Sequence, residues 1–307
     1  MKISVIIPAY NEEGNVVLLF EKIKKALVKY DYEVIFVDDG STDNTFNRLN
    51  SIKDKHLKII KFRKNFGQTA AWSAGFSQAK GDIFVTLDAD LQNDPADIPL
   101  LLEKMKEGYD AVSGWRVNRR DSISKKVFSK IANHFRRLLI SDPIHDAGCS
   151  LKAYKKECFD EIELFGDMHR YIISLLGWKG FKIGEVKVGH YARRFGKTKY
   201  GIIRILRGFV DLLNVLFWRK YSSRPLHIFG GFGLLSAFLG GLVLVILIIL
   251  RLKGQLSLVN SSLPLLAVLL IIIGIQFFIS GLMSDILIKN YYNNGKKIYS
   301  IEKIVEK

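Results

Sequence analysis

Ile83-Phe84-Val85-Thr86-Leu87-Asp88-Ala89-Asp90-Leu91-Gln92 sets an apolar, β-branched run directly against two carboxylates two positions apart. A short continuous apolar run ending in a turn reads as a strand buried on both faces of a sheet. Acidic side chains at its end can converge on one hard cation. Magnesium and manganese take oxygen ligands and are commonly shared between one or two carboxylates and a substrate phosphate. Such an ion can neutralise a diphosphate leaving group. An ordinary acidic turn has the same composition, so the surrounding sequence decides.

Working outward, the first 120 residues alternate short β-branched runs with helical spacing, as a largely parallel α/β sheet requires. Strands are expected at Ile3 to Ile7, Glu33 to Val37, Leu57 to Phe62, Ile83 to Leu87 and Ala111 to Ser113. Helical spacing follows from Val16 to Leu27, from about Thr45 with Asp43 or Ser41 as cap, and from Gln68 to Ala79. Further strands are expected at Leu151 to Tyr154 and near Ile183 to Val188, with a helix at about Met168 to Leu176 between them. Ligands of such sheets bind beyond the carboxyl ends of the strands. Pro8 to Glu13, Asp38 to Asp43, Arg63 to Gly67 and Asp88 to Gln92 should therefore share one neighbourhood. Within Val37-Asp38-Asp39-Gly40-Ser41-Thr42-Asp43, acidic groups can accept hydrogen bonds from a base or ribose, although Ser41 to Asp43 also suit helix capping. Tyr10 can pack against a base from the opposite wall.

The C-terminal third is different. Neither Pro225 to Leu250 nor Gly254 to Ser284 contains an Asp, Glu, Lys or Arg, and each exceeds the roughly 20 residues that cross a bilayer. Arg193, Arg194, Lys197, Lys199, Arg204, Arg207, Arg219, Lys220 and Arg224 precede the first run against the single acid Asp211. Lys289, Lys296, Lys297, Lys303 and Lys307 follow the second, and only Arg251 and Lys253 lie between. The positive-inside rule then expects both ends in the cytoplasm and residues 251–262 outside. The apolar run Ile3 to Pro8 is too short for a signal core, which agrees with a cytoplasmic N-terminal body. Ile202, Ile203, Leu206, Phe209, Val210, Leu213 and Phe217 line one helical face, suited either to the membrane interface or to packing on the N-terminal body. The expected divisions are a domain at 1–195, an amphipathic juxtamembrane helix at 196–224, two spans at 225–288 and a tail at 289–307.

The net charge of +16 fits anionic lipid headgroups and a phosphate-bearing substrate. Nucleic acid is not expected, because no reader motif accompanies the charge. Cys149 and Cys158 should be free thiols in a reducing compartment. His169-Arg170 reads as a helix-surface pair rather than a ligand contact, and Trp72 as packing.

Val5 to Glu12 (VIIPAYNE), Val37 to Asp43, Arg63 to Ala71 (RKNFGQTAA), Gly81-Asp82 and Leu87 to Pro95 (LDADLQNDP) together resemble the family 2 glycosyltransferases. The branch they are most similar to is that of dolichol-phosphate mannose synthase and bacterial polyprenyl-phosphate (undecaprenyl-phosphate) glycosyltransferases. Gly114-Trp115-Arg116, His145 to Tyr154 (HDAGCSLKAY), Arg194 to Tyr200 (RFGKTKY) and the two-run tail extend the likeness over nearly the whole chain. It implies an α/β catalytic domain of the GT-A, Rossmann-like class, followed by an interface helix and two transmembrane helices. It further implies that Asp88, Asp90 and Gln92 surround a Mg2+ or Mn2+ ion and the donor diphosphate. Pro8, Tyr10, Glu12 and Asp39 then match positions that hold base and ribose. Arg116 matches an arginine that meets the acceptor phosphate, and Arg194 and Lys199 match basic positions near the lipid. A second acceptor arginine has no match, and Lys126 or Lys130 stands in for it.

The implied enzyme transfers a hexose or N-acetylhexosamine, with inversion, from a nucleotide-sugar (by preference a UDP-sugar) to polyprenyl phosphate. Its product would supply cell-envelope glycans such as lipopolysaccharide from the inner membrane, and members of this branch often assemble as homo-oligomers (tetramers). Asp146 matches a residue regarded as a catalytic base. An acceptor phosphate monoester, with a second pKa of about 6, arrives largely ionised, so orientation is the alternative role. A processive polysaccharide synthase is the competing enzyme class, but the Gln-x-x-Arg-Trp motif and further spans are missing. A catalytically dead scaffold would have lost part of the Asp88, Asp90, Gln92 and Asp146 set. A dinucleotide oxidoreductase is disfavoured because the only glycine-rich cluster, Gly230 to Gly233, lies in an apolar run.

Overall fold

A computed structural model describes residues 1–117, 144–160, 162, 164, 168–191, 225–254 and 262–293. The chain divides into two compact units, Met1–Leu212 with Ser300–Lys307, and Leu213–Tyr299. The amphipathic stretch expected at 196–224 lies outside the described residues.

The first unit is built on β1 (Lys2–Ala9), α1 (Val16–Ala26), β2 (Asp31–Asp38), α2 (Thr45–Asn50), β3 (Leu57–Lys61), α3 (Gln68–Gln78) and β4 (Ile83–Thr86). It continues through α4 (Ile98–Lys106), β5 (Ala111–Arg116), β6 (Lys152–Lys155), α5 (Ile172–Trp178) and β7 (Ile183–Val188). The seven strands lie in the order β3-β2-β1-β4-β6-β5-β7. β6 alone runs against its neighbours, β4 and β5, and the other pairs are parallel. The other six strands therefore end on one edge of the sheet, and β6 begins there. Segments distant in sequence arrive at that edge together.

Alternation along β1 explains the two cores. Ile3, Val5 and Ile7 face a cluster with Leu19, Phe20 and Ile23 of α1 and Leu101 and Leu102 of α4. Ile6 faces the opposite cluster with Trp72 and Phe76 of α3 and Ile172, Ile173 and Leu176 of α5. That is the period of two expected for a strand buried on both faces. Pro8 sits in this central strand without harm because β4 pairs with β1 only from Ile3 to Ile6. Its missing N–H falls where the ladder has already stopped.

Among the described residues every strand falls where the sequence pattern expects one, with different ends. β1 and β2 extend beyond their apolar centres, and β5 runs on to Arg116. The expected helix at Met168 begins as a 3-10 turn, Met168–Tyr171, before α5. Ser41 does not cap α2. Its hydroxyl accepts from the Asn11 N–H at 3.0 Å, while Asp43 Oδ1 accepts from the Thr45 N–H at 2.9 Å.

The second unit contains α6 (Pro225–Leu252) and α7 (Leu263–Asn293). Each contains a segment long and apolar enough to cross a membrane. Large side chains such as Phe232, Phe238, Val245, Leu265 and Ile272 are exposed, which distinguishes them from core helices of a soluble domain. The two backbones approach closely. A Cβ on Gly233 would lie 2.6 Å from the Gly274 carbonyl oxygen, and one on Gly240 would lie 2.7 Å from that of Ala267. Small residues serve this purpose where helices associate without a hydrophobic drive.

Close approach also governs α3. A Cβ on Gly75 would collide with Cγ2 of Ile6, a stiff β-branched side chain at the centre of the sheet. Gly75→Ala is expected to lower stability by about 1–3 kcal/mol, the usual penalty for overpacking a core. Thermal unfolding in detergent checks this, and an unchanged midpoint would contradict the packing argument.

Candidate active site

The loop after β4 is built around one unusual backbone turn. Leu91, buried and apolar, has φ of 60°, a left-handed conformation that bulky residues rarely adopt. It turns the chain immediately after Asp90. Asp90 is itself buried, and its Oδ1 accepts from the Gln92 N–H at 3.1 Å. The half-buried Asp88 accepts at Oδ1 from the Gln68 amide at 2.7 Å, and its own N–H donates to Ser150 Oγ at 3.2 Å. Asn93 Nδ2 donates to the same hydroxyl at 2.9 Å. Burial and the neighbouring Asp90 charge push the Asp88 carboxyl up to about 6, against the opposing influences of Ser150, Arg116 and Gln68. Gln92 exposes part of its side chain, and its carbonyl accepts from the Tyr191 N–H at 2.9 Å.

The loops after β1 and β2 are laced to one another. Asn11, at φ of 56°, accepts from the Thr42 N–H at 2.8 Å. The Glu12 N–H donates to Thr45 Oγ1 at 2.8 Å, and Glu13 accepts from the Asn44 N–H at 3.0 Å. Pro8, Tyr10 and Glu12 are half-buried on this rim. Asp39 has a task its motif did not disclose. Its two oxygens accept from the N–H groups of Phe66 (2.7 Å) and Gly67 (2.9 Å), fastening the Arg63 to Gly67 loop onto β2. Burial raises its carboxyl above the ordinary value despite those two bonds. Gly40, at φ of 70°, is needed beside it, because a Cβ there would strike the Lys64 backbone.

From the far side of the edge come Arg116, at the end of β5, and the loop that leads into β6. Arg116 and Asp146 form a forked ion pair. Nε donates to Oδ2 at 2.7 Å, Nη2 to Oδ1 at 3.0 Å, and the Arg116 backbone N–H to Oδ2 at 3.3 Å. The two side chains are only 11% and 5% exposed, so the pair is shielded from water. Glu185 on β7 secures the loop from behind, accepting from the His145 N–H at 2.7 Å and contacting His145 Nδ1 at 2.6 Å. The His145 ring stacks on Trp115, with centroids 4.5 Å apart.

Asp88, Asp90 and Gln92 thus occupy one loop, Tyr10 and Glu12 (with Pro8 at the end of β1) and Asp39 two adjoining ones, and Arg116 and Asp146 a further region of the same sheet edge. Lys126, Lys130, Arg194 and Lys199 lie outside the described residues. Gln68, Ser150 and Glu185 escaped the sequence reading. The first two sit inside recognisable motifs, but nothing near Glu185 sets it apart. His169, expected on a helix surface, is buried at 7% exposure, because the segment carrying it packs on α3 rather than facing solvent. Cys149 and Cys158 are free thiols, as expected. Among the described residues no group of three or more His, Cys, Asp or Glu side chains forms a ready-made metal cage.

The family model described as glycosyl transferase family 2 matches residues 4–163. The dodecaprenyl-phosphate galacturonate synthase of Rhizobium johnstonii is 37% identical over 96% of this chain and 90% of its own length. The undecaprenyl-phosphate 4-deoxy-4-formamido-L-arabinose transferase of Proteus mirabilis is 36% identical over 99% of this chain and 94% of its own. Among solved structures, glucosyl-3-phosphoglycerate synthase from Mycobacterium tuberculosis, crystallised with Mn2+, UDP and phosphoglyceric acid, superposes with a TM-score of 0.57. That likeness spans 71% of this chain and 78% of the other at 19% identity, and it bears on the fold alone, which is GT-A, Rossmann-like. By a family match across more than half its length and by relatives aligned almost end to end, the chain belongs to the family 2 glycosyltransferases.

Proposed function

We propose that this glycosyltransferase moves a sugar from a nucleotide donor, by preference a UDP-sugar, to undecaprenyl phosphate or a similar polyprenyl phosphate. The glycolipid formed would serve cell-envelope glycan modification. The observation that carries the reading is one sheet edge with paired carboxylates on one side and a shielded arginine on the other. Full-length likeness to two enzymes named for polyprenyl-phosphate acceptors supports the choice of acceptor.

The carboxylate pair fits a divalent cation. Asp88 is held above its ordinary value by burial and by the neighbouring Asp90 charge, a repulsion that a bound cation would offset. Asp88 and Asp90, with Gln92 beside them, would hold Mg2+ or Mn2+, consistent with a two-carboxylate site completed by substrate phosphates. The bound ion would offset charge on the departing nucleoside diphosphate. Pro8, Tyr10 and Glu12 would line the base and ribose, with Asp39 keeping the next loop in place.

On the acceptor side, an oxygen of the lipid phosphate attacks the anomeric carbon as the nucleoside diphosphate leaves, and configuration inverts. Asp146 is poorly placed to collect a proton. Three N–H bonds from Arg116 commit it to orienting that guanidinium, whose charge would meet the acceptor phosphate. Lys130, Arg194 and Lys199 would add positive charge around the headgroup. We place α6 and α7 across the cytoplasmic membrane with both chain ends on the cytoplasmic side, a reading that the basic flanks support.

Incubation of the purified enzyme with undecaprenyl phosphate, Mn2+ and a panel of nucleotide-sugars, with mass detection, should yield a sugar-phosphate-polyprenol. Absence of glycolipid with every donor would sink the reading. Asp146→Asn should reduce turnover about 100-fold through misorientation, with the pH optimum unmoved, and a variant fully rescued at high pH would identify a general base instead.

Asp88 also makes a prediction about stability. Between about pH 4 and 6 the folded protein retains a proton on Asp88 that the unfolded chain has released. Its contribution to stability therefore falls as pH rises through that window and is lowest above it. The cost is about 2 to 3 kcal/mol at most at a half-buried site. Asp88→Asn should raise the unfolding midpoint of the metal-free protein at pH 7.5 but not at pH 4. An equal difference at both values would show that the carboxyl titrates normally.

A further inference from the structure

α3 begins at the point where the donor-side loops meet, and its first turn is tied on three sides. The residue before it, Gly67, donates its N–H to Asp39 at 2.9 Å. Gln68, the first residue of the helix, donates its side-chain amide to Asp88 Oδ1 at 2.7 Å. Thr69, the second, places its hydroxyl 2.6 Å from Nδ1 of His169. The helix has no side-chain cap, so these contacts replace the usual means of fixing a helix start.

The third tie has no counterpart in the mechanism above. His169 comes from the Met168–Tyr171 turn, a hundred residues along the chain, and is buried together with Thr69. Its ring meets Trp72, one helical turn further along α3, edge to face at 5.5 Å. A buried imidazole on a buried hydroxyl costs free energy if either partner is removed, so the contact defines where the α3 start can sit. A shift of that turn would carry the Gln68 amide away from Asp88. Hydrogen bonds that orient the ligand groups of a metal commonly set its affinity although they never touch it.

We propose that His169 is a positioning residue of the metal–diphosphate site, acting through Thr69 and the adjacent Gln68 to hold Asp88 in its binding orientation. The inference rests on the nucleotide-sugar reading and adds to it a support from the part of the chain beyond the shared carboxylate motif.

The test uses the full-length protein in detergent and measures Mn2+-dependent binding of UDP and GDP by calorimetry, followed by transfer kinetics. Thr69→Val removes the hydroxyl with little change in volume, and His169→Phe keeps a ring beside Trp72. Each should raise the Mn2+ concentration for half-maximal nucleotide binding about tenfold, with KM for polyprenyl phosphate unchanged. The double variant should lose no more than the worse single one, since both break the same contact. Thr69→Ser, which retains the hydroxyl, should restore binding to near the unaltered level. Circular dichroism establishes that each variant is folded, and His169→Phe, which breaks the same contact from the other side, keeps the test decisive if the valine variant is not. Unchanged Mn2+ dependence in folded Thr69→Val, additive losses in the double variant, or a change confined to the acceptor KM would each overturn the proposal. Failure of the unaltered protein to bind either nucleotide with Mn2+ would overturn the nucleotide-sugar reading itself, and this inference with it.

Discussion

Two carboxylates held close together at the end of a buried strand repel each other, and much of the catalytic unit is arranged around that repulsion. Asp88 is relieved from three directions: Gln68 from α3, Ser150 from the loop entering β6, and the field of Arg116 from β5. Leu91 pays in backbone strain for the turn that aims Asp90. Because those supports come from four separate parts of the sequence, the site requires the sheet order that brings them to one edge. Without the reversal of β6, the His145 to Ser150 loop would arrive at the opposite end of the sheet, leaving Arg116 without its carboxylate and Asp88 without the Ser150 hydroxyl.

The sheet was largely legible in the sequence because period-two burial and strand-end acids are local properties. Each strand among the described residues coincides with an expected one, those of the first 120 residues on β-branched runs, and the loops expected to meet do meet. Ends were harder, because ladder length depends on neighbours. Pro8 belongs to β1 only because β4 stops short of it, which no local pattern reveals. The division of the Met168 helix into a 3-10 turn and α5 likewise reflects what the segment packs against.

Roles within the site were less legible than membership of it. Asp39 stands in a motif associated with nucleotide binding, yet its two oxygens are occupied in holding a loop. Arg116 and Asp146 were assigned separate tasks, and the structure joins them in one forked pair. His169 was misjudged because its immediate neighbours in sequence give no sign of the helix that covers it. In each case the deciding information is a partner 25 or more residues away, and spacing rules that work within one turn or one strand cannot register it. The long α6 and α7 are the opposite case, since length and lack of charge are visible without any partner.

The Arg116–Asp146 pair bears on how such an enzyme lives among the soluble anions of a cell. A guanidinium already answered by a carboxylate, and closed off from water, exerts little pull on loose inorganic phosphate or free nucleotides. If it meets the acceptor as proposed, the ligand would need attachment of its own, as a phosphate tethered in a bilayer would have by being presented again and again at the same place. On that reading, discrimination against abundant small phosphates would need no pocket that recognises the lipid chain.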